Sequence, residues 1–428
     1  MTQAAAQEVT GLAELRLQQQ FGVTGVPWQL TERFRPEFSA PLGERLSLTT
    51  TVDLSFAQGR RLQDEVQGVF EASDLFTIGY LPGSIDSLWN IGSCSWPDPA
   101  SNEALGISQA GDYLAVDRLY ADAYLKGADV RIGRQAVQWG SAQLVNPTDP
   151  FPEVLFVEPW RFRRGLNAGR ATVPIEGGHQ VQVLAGTDDT FRHERLATRG
   201  TANIKGTELS LVGAWRGDTD EPLVGLDLRG NVEIGWWFEG ALHATEDPYE
   251  EFAVGVDYSF PVFERFVVLA QYYRNGSGSP DAGSTASTGR FAGEVEPPHC
   301  EEDGFSDLVP DSGANPFAPI TAGRDYAIAA VNLAATNELS FQLSAIHNLG
   351  DGTGVMVPTT TWAVLEWLEL SATGQVPYKT SEGGEFKPDP ADMVLTIDPT
   401  DGEAPPVDLD FSGLAADAAV VVWARASF

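Results

Sequence analysis

The sequence lacks any apolar run long enough for a transmembrane helix. Hydrophobic residues make up 43% of its 428 residues, but its longest apolar stretches are the short runs 266–270 and 418–424. A membrane-spanning helix needs ~20 such residues. A transmembrane helix is therefore excluded, whereas a membrane-spanning barrel is not, because the apolar residues of a barrel strand alternate with polar ones.

Basic residues are also scarce. The chain has 27 Lys and Arg against 60 Asp and Glu, a net charge of −33, and this argues against a nucleic-acid partner, which requires a basic face. The segments 58–112, 275–323 and 377–415 hold 25 acidic and five basic residues. Acidic loops of this kind are expected to bind divalent cations together with lipopolysaccharide; ordinary solvated loops are the alternative.

Motifs for catalysis or for binding metals and cofactors are missing. The five histidines lack metal-binding spacing, and no nucleophile elbow, phosphate-binding loop or dinucleotide fingerprint occurs. We therefore expect no enzyme activity, no metal and no cofactor.

The only two cysteines, Cys94 and Cys300, stand in loop-like stretches far apart in sequence. In an exported protein an even count predicts a disulfide between them, and in a cytosolic one two buried thiols. The run Ala4-Ala5-Ala6-Gln7 looks like the surroundings of a signal-peptidase site, so we expect the mature form of an exported protein.

Alternation with a period of two is the dominant pattern in what the sequence does contain. In residues 46–56, 118–125 and 232–243 apolar side chains alternate with polar ones, as in strands with two different faces. A soluble β-sandwich would show the same alternation, so the lengths of the connections between strands are needed to distinguish a sandwich from a membrane barrel.

Those connections are alternately very short and long, as in membrane barrels. We predict an all-β, single antiparallel barrel over residues 10–428, after an N-terminal periplasmic segment 1–9. Long extracellular loops are predicted at 58–112, 140–163, 275–323 and 377–415, opposite short periplasmic turns. Eighteen strands are predicted, and sixteen is the alternative because the strands at 195–204 and 222–230 have the weakest pattern. The predicted strands lie near 10–21, 28–40, 44–57, 113–126, 129–139, 164–175, 179–187, 195–204, 207–216, 222–230, 232–244, 251–260, 264–274, 324–335, 338–348, 354–364, 366–376 and 416–428.

The last residue, Phe428, closes an alternating strand. A terminal aromatic at this place resembles the C-terminal signal by which the barrel-assembly machinery recognises outer-membrane barrels, although Ala426 stands where a second aromatic is common. Phe260, Phe263 and Trp367 also lie at turn ends, as an interfacial aromatic girdle requires. Outer-membrane lipid is therefore an expected partner.

With the apolar face turned to lipid, the other face lines a wet lumen, and 16–18 strands leave an aqueous channel. After Val130 and Ile132, strict alternation would send Arg134 into lipid, at a cost of roughly 2–4 kcal/mol. A bulge at Gly133 would instead turn Arg131 and Arg134 inward and Gln135, Val137 and Trp139 outward. Pairing with lumenal carboxylates is the alternative role for these arginines. The predicted pore-lining residues are Arg118, Arg131, Arg134, Arg163, Arg164, Arg170, Asp227, Arg229, Glu233 and Glu239.

The run from Gly133 to Gly140, followed by Asn146-Pro147-Thr148-Asp149-Pro150, resembles porin-like outer-membrane families, including the alginate-export barrels. This resemblance implies a monomeric barrel with an arginine-lined lumen. The prolines of loop 140–163 make it stiff enough to fold inward and narrow the pore.

These features together predict an outer-membrane channel for the passive passage of small hydrophilic solutes, anionic or zwitterionic ones among them. One alternative is an exporter of an anionic polymer, which would need a continuous basic ladder. The other is a non-conducting barrel scaffold in an envelope complex, which would have a plugged lumen.

Overall fold

The computed structural model describes residues 7–22, 28–60, 106–109, 112–143, 145–151, 162–163, 165–187, 191, 194–217, 221–245, 248–278, 323–380, 384–387, 394–397, 407–410 and 417–428. Cys94, Cys300 and Arg164 lie outside these residues, so the disulfide and the lumenal place of Arg164 stay predictions. In the part that the structure describes, no helix is long and apolar enough to cross a membrane.

Eighteen antiparallel strands form one closed barrel, which confirms the predicted fold and strand number. The strands are β1 (Glu8–Phe21), β2 (Trp28–Pro41), β3 (Leu46–Arg60), β5 (Asp112–Leu125), β6 (Ala128–Gln135), β7 (Leu166–Ile175), β8 (His179–Thr187), β9 (Glu194–Ile204), β10 (Thr207–Arg216), β11 (Glu221–Val232), β12 (Ile234–His243), β13 (Tyr249–Phe260), β14 (Arg265–Asn275), β15 (Asp325–Ala334), β16 (Leu339–Asn348), β17 (Thr353–Leu365), β18 (Leu368–Lys379) and β21 (Ala418–Ser427). The short β4 (Gly106–Gln109) pairs with β5, and β19 (Val394–Ile397) pairs with β20 (Val407–Asp410). The first strand starts at Glu8, two residues before the predicted start of the barrel.

The barrel closes because β1 pairs with β2 on one side and with β21 on the other. Closure gives each of the eighteen described barrel strands a partner on both sides, as a protein surrounded by lipid requires. The connections 42–45, 126–127, 176–178, 205–206, 233, 261–264, 335–338 and 366–367 are short and share one rim. The strand ends joined by the remaining connections lie at the other rim.

The outer face is apolar. Phe34 and Phe38 on β2, like Val181 and Val183 on β8, are substantially exposed. The four aromatics predicted for the interfacial girdle are exposed near the short-turn rim: Phe260, Phe263, Trp367 and Phe428. An apolar band bounded by aromatics around a closed barrel is a lipid-facing surface.

Phe428 completes the wall next to the N-terminal strand. Its backbone exchanges hydrogen bonds with Gly11, of 3.0 and 3.1 Å. Its ring stacks on Phe34 at 5.5 Å between centroids and lies against the Cα of Gly11, where an added Cβ would come within 2.7 Å of it. The last residue therefore seals the seam on the lipid side.

The inner face is not uniformly polar, and here one prediction is wrong. β6 ends at Gln135 rather than at residue 139, and Gln135, Val137 and Trp139 are buried inside the barrel instead of facing lipid. The reason is an apolar cluster on the inner wall that receives them. Its members are Val137, Trp139, Phe151, Leu166, Ala168, Leu184, Ala197, Val212, Leu223 and Ala241.

Candidate functional site

After β6 the chain turns into the lumen; we call residues 136–151 the inward segment. Its centre is anchored on Glu239 of β12, a carboxylate with no exposed surface. Oε1 of Glu239 accepts hydrogen bonds of 2.5 Å each from the backbone N–H groups of Ser141 and Ala142. Oε2 accepts from the backbone N–H and the hydroxyl of Thr148, at 3.2 and 2.8 Å. One buried carboxylate thus satisfies four donors, which confirms that the described part of the predicted loop folds inward.

The wall strands on either side of Glu239 add further anchors. The Ser141 hydroxyl donates to Asp227 on β11, which also accepts from Arg199 on β9 at 2.9 Å. On the other side, the backbone N–H of Gln143 donates to Gln271 on β14 at 3.2 Å. Ala142 and Val145 pack against a second apolar cluster of the inner wall, which includes Trp237 and Leu269. Together with the apolar cluster that receives Val137 and Trp139, these anchors place the inward segment against the inner wall of β7–β14.

Gly133 makes the turn inward possible. Its φ is +122°, and a Cβ at this position would lie 2.1 Å from the carbonyl oxygen of Leu119, so only glycine fits. Beyond it Arg134 is on the inner side and 4% exposed. β6 keeps its pairing register with β5 and β7 here, so the predicted bulge at Gly133 is wrong, and Arg134 and Gln135 are both buried.

Arg131 faces the lumen but is already paired. Its Nε and Nη2 donate to the two oxygens of Asp122 at 2.7 and 3.0 Å, and its guanidinium lies 4.0 Å from the ring centroid of Tyr120. Arg170 stands directly opposite Arg131 on β7. In the described part of the chain Asp122 pairs with Arg131 and Arg170 forms no ion pair, so the two arginines keep a positive charge near the short-turn mouth.

A bulge in β5 turns two successive residues inward. The register against β3 shifts between Thr51 and Val52, and as a result both Asp117 and Arg118 face the lumen. Arg118 donates to the Asp117 carboxylate at 2.6 Å and to the carbonyl of Arg163. Arg163 in turn donates to the Val137 carbonyl and pairs with Asp149, both at 2.9 Å. The return end of the loop is thereby joined to both the wall and the inward segment.

Burial raises the pKa of Asp149 to about 7, although Arg163 and the backbone N–H of Phe151 favour its ionised form. Asp149 lies on the inward segment, outside the membrane-spanning strands. Its charge therefore changes close to neutral pH, at the point where the segment holds Arg163.

The predicted residues of the opposite wall are not all in the lumen. Asp227 and Glu239 are buried under the inward segment. Glu233 is the single residue of the β11–β12 turn, with φ of +67°, so it lies on the short-turn rim and not on the pore wall. The predicted strands 222–230 and 232–244 placed this turn at residue 231, two residues too early.

Arg229 lines a cavity of about 430 Å³ near the short-turn end. It shares that space with Gln143 of the inward segment and with Asp257, Arg265, Asn332 and Gln342 of the wall. The cavity is mainly bordered by charged, amide and hydroxyl side chains, so it is a water-accessible chamber.

Two wall arginines, Arg33 and Arg35 on β2, were missing from the predicted site. Arg33 pairs with Asp53, and Arg35 pairs with Asp117. Both alternate with the lipid-facing Phe34, so the period-two pattern of β2 could have revealed them. The aromatic that covers them, Phe162, belongs to a loop and carried no such pattern.

Part of another loop also enters the barrel, near the rim of the long connections. Glu385 accepts hydrogen bonds from Tyr326 and Asn348, at 2.5 and 2.9 Å, and Phe386 is buried. Within the described residues, no group of three or more His, Cys, Asp or Glu side chains is arranged to hold a metal ion.

No family model and no curated protein matches the sequence. Among solved structures, a double variant of OccD1 (OprD) aligns with a TM-score of 0.53 and 10% identity over 99% of this chain and 95% of its own. OccK11 (OpdR) of Pseudomonas aeruginosa aligns with a TM-score of 0.53 and 8% identity over 99% and 96%. The outer membrane protein opdK of Pseudomonas aeruginosa gives 0.51 and 9% identity over 99% of both chains.

At these identities the comparison shows the fold, which is that of porin-like outer-membrane β-barrels. The narrower resemblance to alginate-export barrels is not supported by it. Together with the apolar outer band, the fold confirms the predicted location in the outer membrane.

Proposed function

We propose that this barrel is a channel for the passive passage of small hydrophilic solutes, and that it favours anionic or zwitterionic ones. The single observation that carries the proposal is how the described residues are distributed in the lumen. The inward segment packs against the side formed by β7–β14, whereas the side formed by β21, β1–β3 and β5–β7 carries arginines. Solutes that cross the barrel must therefore pass along an arginine-lined wall.

Most arginines of that wall form ion pairs, but the wall keeps a positive charge. Arg33, Arg35 and Arg131 each contact a carboxylate, and such pairs orient the guanidinium planes. Arg170 adds a charge without an ion pair in the described residues. At an effective dielectric constant near 20, an anion 4 Å from such a charge gains about 4 kcal/mol before desolvation, enough to dominate selectivity at a narrow point.

The test is the ion selectivity of single channels in planar bilayers. In a potassium chloride gradient the wild type should conduct, with a reversal potential on the chloride side. Replacing both Arg131→Ser and Arg170→Ser should move the reversal potential toward that of potassium. Arg134 is not used, because its burial makes a folding defect the expected result of replacing it.

A matched control is Arg274→Ser, which removes a partly exposed arginine near the other rim that pairs with Glu250 and Asp325. It changes the net charge by one unit without touching the arginine-lined wall. A folded wild type with no conductance would contradict the channel and favour a scaffold. Equal selectivity in wild type and double variant would show that these arginines only stiffen the wall.

A further inference from the structure

The ring of Phe162 lies against three guanidinium groups. Its centroid is 4.8 Å from Cζ of Arg33, 4.5 Å from that of Arg35 and 5.1 Å from that of Arg425. Arg33 and Arg35 come from β2 and Arg425 from β21, the two neighbours of β1. One loop aromatic therefore spans the seam at which the barrel closes.

Each of these arginines keeps a carboxylate on its wall side. Arg33 donates to Asp53 and Arg425 to Glu14, both at 2.7 Å, and Arg35 donates to Asp117. The ring thus covers guanidinium faces whose edges are already hydrogen-bonded.

The surroundings keep an excess of positive charge. Arg16 is 3.5 Å from Glu14, and Arg118 is 2.6 Å from Asp117. We call the combined set the arginine patch: Arg16, Arg33, Arg35, Arg118, Arg425, Glu14, Asp53 and Asp117. Five positive and three negative side chains give the arginine patch a net charge of +2.

Phe162 is held in position by the residues that follow it. The next residue, Arg163, is tied to Val137 and Asp149 of the inward segment, and its carbonyl accepts from Arg118. The N–H of Gly165 donates to Asp117 at 3.2 Å. The position of the ring is therefore fixed by the wall as well as by the loop.

An aromatic ring attracts a guanidinium through its negative face, but it carries no net charge and accepts no strong hydrogen bond. While it covers the arginine patch, it keeps water and solute carboxylates away from these three guanidinium faces. Without it, the same faces would form a site for a small carboxylate, since guanidinium binds carboxylates strongly.

We propose that Phe162 determines the selectivity of the channel by covering the arginine patch, so that small carboxylates pass along it without being retained. The inference rests on the proposed channel function. It assigns a specificity role to a residue that lies on neither the wall nor the inward segment.

The experiment compares the wild type with Phe162→Ala, Phe162→Leu and Phe386→Ala in planar bilayers. Phe386 is a buried loop aromatic outside the inward segment and packs on Tyr326, with 6.3 Å between ring centroids, so Phe386→Ala controls for the loss of an aromatic from an inserted loop. Chloride-to-potassium permeability comes from reversal potentials, and retention of carboxylates from the block of chloride current by acetate. Heat-modifiable mobility on gels verifies that every variant is folded.

Phe162→Ala should raise both the permeability ratio and the acetate block, by roughly two- to fivefold, the factor that corresponds to one exposed cation–π contact. Phe162→Leu keeps an apolar side chain over the arginine patch but lacks the negative ring face. Its permeability ratio and acetate block should therefore lie between those of the wild type and Phe162→Ala. Phe386→Ala should leave both quantities near the wild type. Wild-type values in a folded Phe162→Ala, or equal shifts in it and in Phe386→Ala, would overturn the inference while leaving the channel function intact. Absence of current in the folded wild type would overturn the channel function itself.

Discussion

The anchor on Glu239 predicts that one substitution in the wall widens the pore. In Glu239→Gln an amide nitrogen replaces one carboxylate oxygen. This nitrogen is itself a donor, so it cannot accept hydrogen bonds from the N–H and hydroxyl groups that face it. Two of the four hydrogen bonds from Ser141, Ala142 and Thr148 should then be lost, and the inward segment should leave the wall for part of the time.

The expected loss of docking free energy follows from the number of hydrogen bonds that are lost. A hydrogen bond to a charged group contributes about 1.5–3 kcal/mol, so losing two weakens the docked state by about 3–6 kcal/mol, as an upper bound before relaxation. Each 1.4 kcal/mol is a factor of about ten, so this bound corresponds to a fall of about 10²- to 10⁴-fold in the ratio of docked to released segment. The barrel wall keeps its backbone ladder, and its thermal stability should change much less.

Single-channel recording measures this directly. Glu239→Gln should show higher mean conductance and more frequent transitions between levels than the wild type. Glu208→Gln is the matched control, because Glu208 lies on the same inner wall and pairs with Arg199 at 3.4 Å but anchors no part of the inward segment that the structure describes. Identical conductance and noise in wild type and Glu239→Gln, with both folded, would refute the reasoning.

Three further predictions concern assembly, pH and the loops. Deleting Phe428 should sharply reduce insertion, because its ring and backbone seal the seam at Gly11 and Phe34; an unchanged heat-modifiable band would contradict this. Because the pKa of Asp149 is raised to about 7 by burial in the docked segment and returns to its ordinary value on release, the docked state binds an extra proton between these values and is favoured at lower pH. Conductance should therefore rise from about pH 4.5 to about pH 7.5, and Asp149→Asn, which stays neutral, should abolish that rise; the same pH profile in both would count against it. Cys94 and Cys300 should be oxidised to one another, and closing a loop of this size stabilises a fold by several kcal/mol in the chain-entropy model; two free thiols in mass spectrometry of the unreduced protein would disprove the bond.

The wall of the barrel was predictable because its physical rule is local. A strand between lipid and water must alternate at every second residue, and this pattern gave eighteen strands and the inward direction of Asp227 and Arg229. The same rule failed beyond Gln135. Val137 and Trp139 continue the alternation, but they leave the wall because Leu184 and Val212 of the inner face receive them.

Contacts between a loop residue and the inner wall depend on strands that are distant in sequence. They cannot be predicted from the pattern of a short stretch of residues. Glu233 shows a smaller error, since the one-residue turn was predicted at Asn231 and lies at Glu233. The contact of Phe162 with the arginine patch could not be predicted from the sequence, for the same reason as the burial of Trp139. The role of Phe162 depends on the folded chain, in which its ring lies against arginines of β2 and β21.

The path of the inward segment also sets an order of events in assembly. Ser141 and Ala142 are bonded to a wall residue 98 and 97 positions later in the chain, and Gln143 to one 128 positions later. Neighbouring strands can pair as soon as each hairpin exists, whereas docking of the segment must wait for β12 and β14, since such long-range contacts require a large loop to close first. Until then the apolar inner wall at Leu184 and Val212 has no cover. The lumen therefore passes from open to partly filled late in folding, and a chain arrested before β12 would hold a wide, unfinished pore.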